Sequence, residues 1–294
     1  MKNLTILAFL LGFKFLFASS SYPTIFGGGR TEVKAPLEVK GSFIATDGVD
    51  FNANVDVSKN FGIPWQSSQS FMNTSQFSIG ELTYVGSPFA VSGNTKLIAG
   101  KDIVLDGGIN ATGSFELSAN ENAFINSQVV SPSGLLKLHS KKDMRLSGDV
   151  SIHGILYQTI EGDFSQFGDL NIYGTYANYT TNNAWYDKEI AHSSGNASFY
   201  FNSSKGSVVY AGKISGHGSF YSAALSGYTY QFHPENFTGS WSMVGNILKT
   251  SPPFAGVPDI SPSSSIGVWK SSQFYSQKLN VKHTELTALS LIHI

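Results

Sequence analysis

Apolar residues recur in the middle of the chain with a period close to 20 residues. Three segments share the same order of apolar and polar positions at offsets of 20 and 21 residues, namely 97–105, 117–125 and 138–146. Within the first of them, Ile103 and Leu105 alternate with Val104, which is the period-two pattern of a β-strand. A looser fourth copy at 164–172 is displaced by 26 residues, which predicts a small insertion between coils. The rhythm predicts short strands stacked coil upon coil, as in a solenoid.

Glycine and Asp or Asn recur where the alternation stops, and these residues suit the tight corners between short strands. Gly107-Gly108 forms one such corner, and a glycine closes each unit. We expect the closing series to run through Gly113, Gly134, Gly154, Gly174, Gly195 and Gly216. One coil buries too little apolar surface to fold alone, so the stack is predicted to fold as one body.

The stretch 97–113 reads Leu-Ile-Ala-Gly-Lys-Asp-Ile-Val-Leu-Asp-Gly-Gly-Ile-Asn-Ala-Thr-Gly. It resembles the repeats of filamentous-haemagglutinin-type adhesins, which are secreted bacterial right-handed β-helices, and the resemblance covers about residues 95–174. It implies an all-β, right-handed parallel β-helix (β-solenoid) with about 20-residue coils. It also implies adhesion to a host or neighbouring cell surface, a glycan or a matrix protein, and export through an outer-membrane transporter. The Asn-Pro-Asn-Gly-like motif of that family's usual secretion domain does not occur in this sequence.

The N-terminus has the pattern of a signal peptide over residues 1–20. Lys2 precedes an apolar run at 4–13, and Ala18 and Ser20 supply the small residues of a cleavage site. The alternative is a signal anchor, but Lys14 interrupts the run before it is long enough to span a bilayer. We therefore expect a secreted or cell-surface protein.

The remaining chain divides by composition. Residues 21–92 show little of the repeat and are predicted to form an N-terminal cap, 93–247 the β-solenoid, and 248–265 a Pro/Ser-rich linker. The polar stretch 176–206 is interpreted as a loop excursion from the stack. Residues 266–288 stay unassigned as a truncated C-terminal segment. The last six residues, 289–294, match the translation of a transposase adapter used in sequencing libraries, so we expect the natural protein to continue.

Composition and charge argue against several classes of partner. Among the 294 residues, 13% are charged, the net charge is −1 and lysines and arginines form no cluster, so we predict no nucleic-acid partner. The chain has no cysteine, so no disulfide holds it. The seven histidines have no metal-binding spacing and no phosphate-binding loop is present, so we predict neither metal nor cofactor.

Asp143 and Asp163 are the candidate catalytic residues if the protein is an enzyme. They are one coil apart, and stacked coils would bring their carboxylates close to the separation of a retaining glycosidase pair. They also occupy turn positions shared with Asp102 and Asn122, and the preferred interpretation is that they bind neighbouring backbone N–H groups.

Aromatic residues supply the candidate binding surface. Trp185 and Tyr186 are the preferred binding candidates because they fall in the predicted excursion. A second aromatic group can bind a sugar or a protein, although stacking along the solenoid is the preferred explanation; it consists of Tyr221, Tyr228, Tyr230, Phe232, Phe237 and Trp241.

The sequence therefore predicts a secreted or cell-surface structural and adhesive protein that presents loops for contact, and not an enzyme. Two alternatives stay open. One is a carbohydrate-active β-helix, either a glycosidase or a depolymerase, and the other is an envelope scaffold subunit.

Overall fold

A computed structural model describes residues 24–26, 31–45, 48–63, 70–73, 75–232, 236–249 and 283–287. The regular structure of these residues is β-strand, and the strands pair in parallel. They follow one another in groups of three, so each coil adds one strand to each of three sheets. About 10 coils of roughly 20 residues stack in this way. The prediction of an all-β, parallel β-solenoid is confirmed, and its right-handed sense stays a prediction.

Short strands build the first two sheets. The first sheet contains β1 (Thr24–Phe26), β4 (Phe43–Ala45), β7 (Phe61–Ile63), β10 (Thr83–Val85), β13 (Ile103–Leu105), β16 (Ala123–Ile125), β19 (Met144–Leu146), β22 (Phe164–Gln166), β25 (Ala184–Tyr186) and β27 (Val208–Tyr210). The second sheet contains β2 (Thr31–Val33), β5 (Val49–Phe51), β8 (Ser70–Met72), β11 (Phe89–Val91), β14 (Ile109–Ala111), β17 (Val129–Ser131), β20 (Val150–Ile152) and β23 (Leu170–Ile172).

The third sheet has the longer strands of each coil. It contains β3 (Leu37–Val39), β6 (Val55–Val57), β9 (Gln76–Ile79), β12 (Asn94–Ala99), β15 (Ser114–Ala119), β18 (Leu135–Ser140), β21 (Ile155–Ile160) and β24 (Thr175–Thr180). Three long strands continue through the corners: β26 (Ile190–Ser203) joins the second and third sheets, and β28 (Ile214–Gln231) and β29 (Asn236–Lys249) join all three. The last strand, β30 (His283–Thr287), pairs with β29.

The interior is built by the predicted alternation. Ile103 and Leu105 are fully buried while Val104 faces outward, and Leu97, Leu117 and Leu138 stack in register in the third sheet. Each inward side chain is thus covered by its counterparts in the coils above and below. Burial of apolar surface between coils stabilises the stack, and the parallel ladders satisfy the backbone.

The predicted insertion before the fourth repeat is wrong. Phe164 pairs with Met144 at an offset of 20 residues, not with Leu138 at 26. The position opposite Leu138 is Gln158, which is fully buried. Because Gln158 is polar, a search of the sequence for repeated leucines does not find this position. Gln158 is accommodated inside because its Oε1 accepts a hydrogen bond from Asn178 Nδ2 at 3.1 Å.

The closing glycines form one column up to Gly174, as predicted, but the column then continues differently. The next members are Ala197, Gly218 and Gly239, because Ser198 N–H donates to Gly174 C=O and a Cβ on Gly218 would lie 2.2 Å from the carbonyl oxygen of Ala197. Gly195 and Gly216 are outside it. The cause is a register shift between Ser193 and Ser198, which lengthens this coil.

Two predicted segments have a different architecture from the one expected. The described strands of the region 21–92 pair in the same three-sheet order as those that follow, so this region forms further coils. The stretch 176–206 is not a loop excursion, since it includes most of β24 and all of β25 and β26. Its Asn, Thr and Tyr side chains pack inside and along the stack, which a polar composition alone does not reveal.

The interior changes from aliphatic to aromatic towards the C-terminal coils. Rings of Tyr176, Phe199, Phe220 and Trp241 stack in one column at centroid distances of 5.1, 4.7 and 4.2 Å. These side chains are 2% exposed or less, so they stabilise the stack from within.

The predicted signal peptide (1–20) and adapter sequence (289–294) lie outside the described residues. So do the predicted linker (248–265), apart from the last two residues of β29, and the segment 266–288, apart from β30. Within the described part of the chain, no helix has the length and apolar character needed to cross a membrane.

Candidate functional site

Asp143 and Asp163 lie in a column of corner residues between the third and first sheets. The Oδ1 atom of Asp143 accepts the backbone N–H of Asp163 at 2.9 Å, and the Oδ1 atom of Asp163 accepts the N–H of Asn183 at 2.9 Å. The same bond joins Asp102 to Asn122 at 2.9 Å. Each side chain therefore caps the backbone of the following coil.

The pKa of Asp163 is raised above its usual value. Partial burial is the largest cause, the backbone N–H of Asn183 opposes it, and the nearby Asp143 carboxylate adds to it. The Oδ1 atom of each carboxylate is bonded to the backbone of the following coil, which agrees with the turn interpretation.

We expect Asp143→Asn to leave the free energy of unfolding within about 0.5 kcal/mol of the wild-type value, because an amide oxygen can still accept the Asp163 N–H. Asp143→Ala removes that acceptor and should cost about 1 kcal/mol. Denaturant titration of the two variants measures the difference. Equal losses in both would contradict the capping role.

The preferred binding candidates lie on β25 and face opposite ways. Tyr186 points into the core and is 1% exposed, so it is not available to a ligand. Its hydroxyl lies 3.1 Å from that of Tyr176. Trp185 faces outward and is half-buried, with its Nε1 atom 3.4 Å from Asp187 Oδ1. The strand alternation separates the two residues that the sequence placed together.

The second predicted aromatic group is also divided by the fold. Tyr230, Phe237 and Trp241 are at most 1% exposed, which agrees with stacking along the solenoid. Tyr221 has a different position, because it faces outward from the third sheet and is only partly buried.

Tyr221 is the last member of an exposed row that we call the tyrosine ridge, formed by Tyr157, Tyr179, Tyr200 and Tyr221. Successive ring centroids are 5.2, 5.3 and 4.6 Å apart, and the last pair is stacked with an angle of 7°. Tyr157 and Tyr179 are each 37% exposed. The row crosses four coils and runs along the axis of the solenoid.

The ridge depends on one small residue. Ala177 pairs with Tyr157 on one side and with Tyr200 on the other, so this small residue lies in register between two tyrosines of the ridge. The ring of Tyr179, two residues further along β24, contacts both neighbouring rings. Burial and the adjacent tyrosines raise the pKa of Tyr179. Its hydroxyl is therefore protonated at neutral pH and can donate a hydrogen bond.

The surroundings of the ridge are polar and carry charges of both signs. Lys137 and His139 are the outward neighbours on β18, and Thr159 and Asn202 flank the rings. The third-sheet strands from β18 to β28, taken with their adjoining corners, contain four lysines, one glutamate and two aspartates, a net charge of +1 against −1 for the chain. The five segments are 133–143, 153–163, 173–183, 195–207 and 217–227, and their charged residues are Lys137, Lys141, Lys142, Lys205, Asp143, Glu161 and Asp163.

Sequence reasoning missed three of the four tyrosines. Tyr157, Tyr179 and Tyr200 follow one another at 22 and 21 residues, close to the coil period, and Tyr221 follows at 21. That spacing was the available signal. Whether each tyrosine faces outward depends on the register after Gln158, which the apolar pattern did not give.

No group of three or more His, Asp or Glu side chains able to hold a metal ion occurs in the described ranges. The class that fold and site define is a parallel β-solenoid with an exposed tyrosine ridge on its long-strand sheet. Comparison of the chain with protein-family models, with curated proteins and with solved structures finds no match in any of the three.

Proposed function

We propose that this protein is a secreted or cell-surface adhesive solenoid that contacts a cell, glycan or matrix surface through the outer face of its third sheet. The N-terminal signal pattern and the adhesin-like repeat support export and adhesion. The contact surface differs from the loops expected from the sequence, because it is a strand face.

The tyrosine ridge is the observation that carries this proposal. Tyrosine is enriched in binding surfaces because its ring offers a large contact area and its hydroxyl a hydrogen bond. Here, ring–ring contacts of about 5 Å hold the side chains in place before any partner arrives. Little side-chain entropy is then lost on binding, which favours affinity.

The test is adhesion of the purified full chain to a panel of cells, matrix proteins and immobilised glycans. The variant Tyr179→Ser with Tyr200→Ser removes the centre of the ridge, and we expect its binding to fall at least about tenfold, the effect of losing a contact of 1.4 kcal/mol. Val104→Ser, on the outward face of the first sheet, is the control and should bind as the wild type does. Circular dichroism verifies that both variants are folded.

Two results would overturn the proposal. One is a folded wild-type chain that adheres to no member of the panel. The other is adhesion that survives the loss of both tyrosines.

A further inference from the structure

The tyrosine ridge brings phenol rings from successive coils into direct contact. Tyr200 and Tyr221 pair in register in adjacent strands, and their rings stack with centroids 4.6 Å apart and planes 7° from parallel. Tyr179 leans on Tyr200 from the other side, with centroids 5.3 Å apart and planes at 39°. Rings at these separations touch each other.

The backbone holds the stacked rings in place. Tyr200 lies on β26 and Tyr221 on β28, and the parallel ladder between these two strands continues on both sides of the pair. Adjacent strands in a sheet are about 4.8 Å apart, which matches the separation of the rings. A reaction between two side chains placed in this way is intramolecular, and it is much faster than an encounter between separate molecules.

A small oxidant can reach the ridge. Tyr157 and Tyr179 are each 37% exposed, and Tyr200 and Tyr221 are partly exposed. The sulfur groups that oxidants attack most readily are absent or shielded, because the chain has no cysteine and the methionines of the described ranges are fully buried. These are Met72, Met144 and Met243. Oxidation is thereby directed to aromatic side chains at the surface.

Other tyrosines lack either the contact or the access. Tyr173 is also 37% exposed, but its ring stacks on that of His153 at 4.1 Å and 6°. Tyr186 and Tyr210 stack on each other at 5.3 Å inside the coil, where each is 1% exposed or less. The ridge combines a tyrosine neighbour with exposure to solvent.

We propose that Tyr200 and Tyr221 are a site of oxidative modification, at which hydrogen peroxide and a haem peroxidase form a dityrosine cross-link. The oxidant removes the hydroxyl hydrogen atom from each phenol, which leaves two phenoxyl radicals with unpaired spin at the Cε atoms beside the oxygen. One Cε of each ring joins the other in a carbon–carbon bond, and the hydrogen atoms of those two carbons move to the oxygens. The two side chains together lose two hydrogen atoms, and one hydrogen peroxide becomes two waters.

The cross-link would join two successive coils in the aromatic part of the solenoid. It closes a loop between positions 21 residues apart, and closing such a loop stabilises the fold by lowering the entropy of the unfolded chain. A chain without cysteine gains a covalent tie in this way. The inference is independent of the adhesive function, because the cross-link is measured without any ligand.

The test is treatment of the dilute full chain with a haem peroxidase and hydrogen peroxide, followed by trypsin digestion and mass spectrometry. Peptide 189–205 contains Tyr200 as its only tyrosine, and Tyr221 lies in peptide 214–249. We expect these peptides to be joined, at a mass lower than their sum by two hydrogen atoms, in a chain that still migrates as a monomer. Fragment ions distinguish Tyr221 from Tyr228 and Tyr230, and dityrosine fluorescence measures the yield.

Two variants test the pairing. Tyr221→Phe keeps the stacked ring but removes the hydroxyl that reacts, so the yield of the joined peptides should fall at least about tenfold. Tyr173→Phe is the matched control, because it removes a tyrosine of similar exposure whose stacking partner is His153. It should form the cross-link as the wild type does. Circular dichroism before oxidation verifies that both variants are folded.

Three results would overturn the inference. The first is a folded wild-type chain that forms no link between Tyr200 and Tyr221 under these conditions. The second is dityrosine that is confined to covalent dimers, since the bond would then come from collisions between molecules. The third is a wild-type yield of the joined peptides in Tyr221→Phe.

Discussion

Gly134→Ala is expected to lower the free energy of unfolding by about 3 kcal/mol or more. Gly134 has a φ of +93°, in the left-handed region that an alanine adopts only at a cost, and an added Cβ would lie 2.4 Å from the carbonyl oxygen of Gly113. That oxygen belongs to the backbone of the adjoining coil. Because the coils above and below hold both backbones, neither can move away without disturbing its own ladder. Denaturant titration followed by circular dichroism measures the loss.

Gly108→Ala is the matched control, since it makes the same substitution at the corner between β13 and β14. A Cβ on Gly108 would lie 3.6 Å from the nearest atom, the carbonyl oxygen of Gln128, which is ordinary contact. Alanine also reduces the entropy of the unfolded chain, so the change should be within about 1 kcal/mol of zero. Equal losses at the two glycines would show that the approach of the backbones in the Gly134 column is not the cause.

The solenoid could be predicted because large apolar residues recur once in each coil. Leu97, Leu117 and Leu138 occupy one column, and a column of leucines is visible without knowledge of the third dimension. The glycine column was predictable for a related reason. The backbones of adjoining coils approach so closely at Gly134 and Gly154 that a side chain has no room. Glycine therefore recurs at a fixed spacing in the sequence.

The register of the later coils could not be predicted, because polar residues there take over inward positions. Gln158 and Asn178 continue the leucine column, joined by a hydrogen bond of 3.1 Å. Asn178 Oδ1 also accepts from Thr180 Oγ1 at 2.6 Å, so its two polar ends are both satisfied. A buried polar side chain is acceptable when it is bonded in this way, but its partner is one coil away. From the sequence pattern alone, such polar residues are interpreted as part of a loop.

The tyrosine ridge could not be predicted for the same reason, because the register of these coils was not known from the sequence. An outward-facing tyrosine can be told from an inward-facing one only when the strand's phase is known, and Tyr176 and Tyr179 on β24 face opposite ways. The smallness of Ala177 and the register shift between Ser193 and Ser198 then determine which rings meet. Both are properties of neighbouring coils together. By contrast, the capping role of Asp143 needed only the period, and the preferred interpretation of that residue agrees with its hydrogen bond to the next coil.

His192 should make the stability of the solenoid depend on pH between about 6.5 and 4. It is 3% exposed and lies against aromatic rings, with the ring of Phe237 at 4.8 Å and those of Phe220 and Phe199 at 6.2 and 6.4 Å. Burial in these surroundings lowers the pKa of His192 from 6.5 to about 4, because the charged imidazolium loses its hydration.

Below pH 6.5 the unfolded chain binds a proton that the folded chain does not accept until the pH nears 4. The stabilisation is therefore complete above pH 6.5 and is lost as the pH falls towards 4, by about 1.4 kcal/mol per pH unit and about 3 kcal/mol in all. Denaturant titrations across this range should show the loss in the wild type and a smaller one in His192→Leu. His217→Gln, at an exposed histidine of the next coil, controls for removal of a histidine as such. If His192→Leu retains the full wild-type dependence on pH, the buried imidazole is not its source.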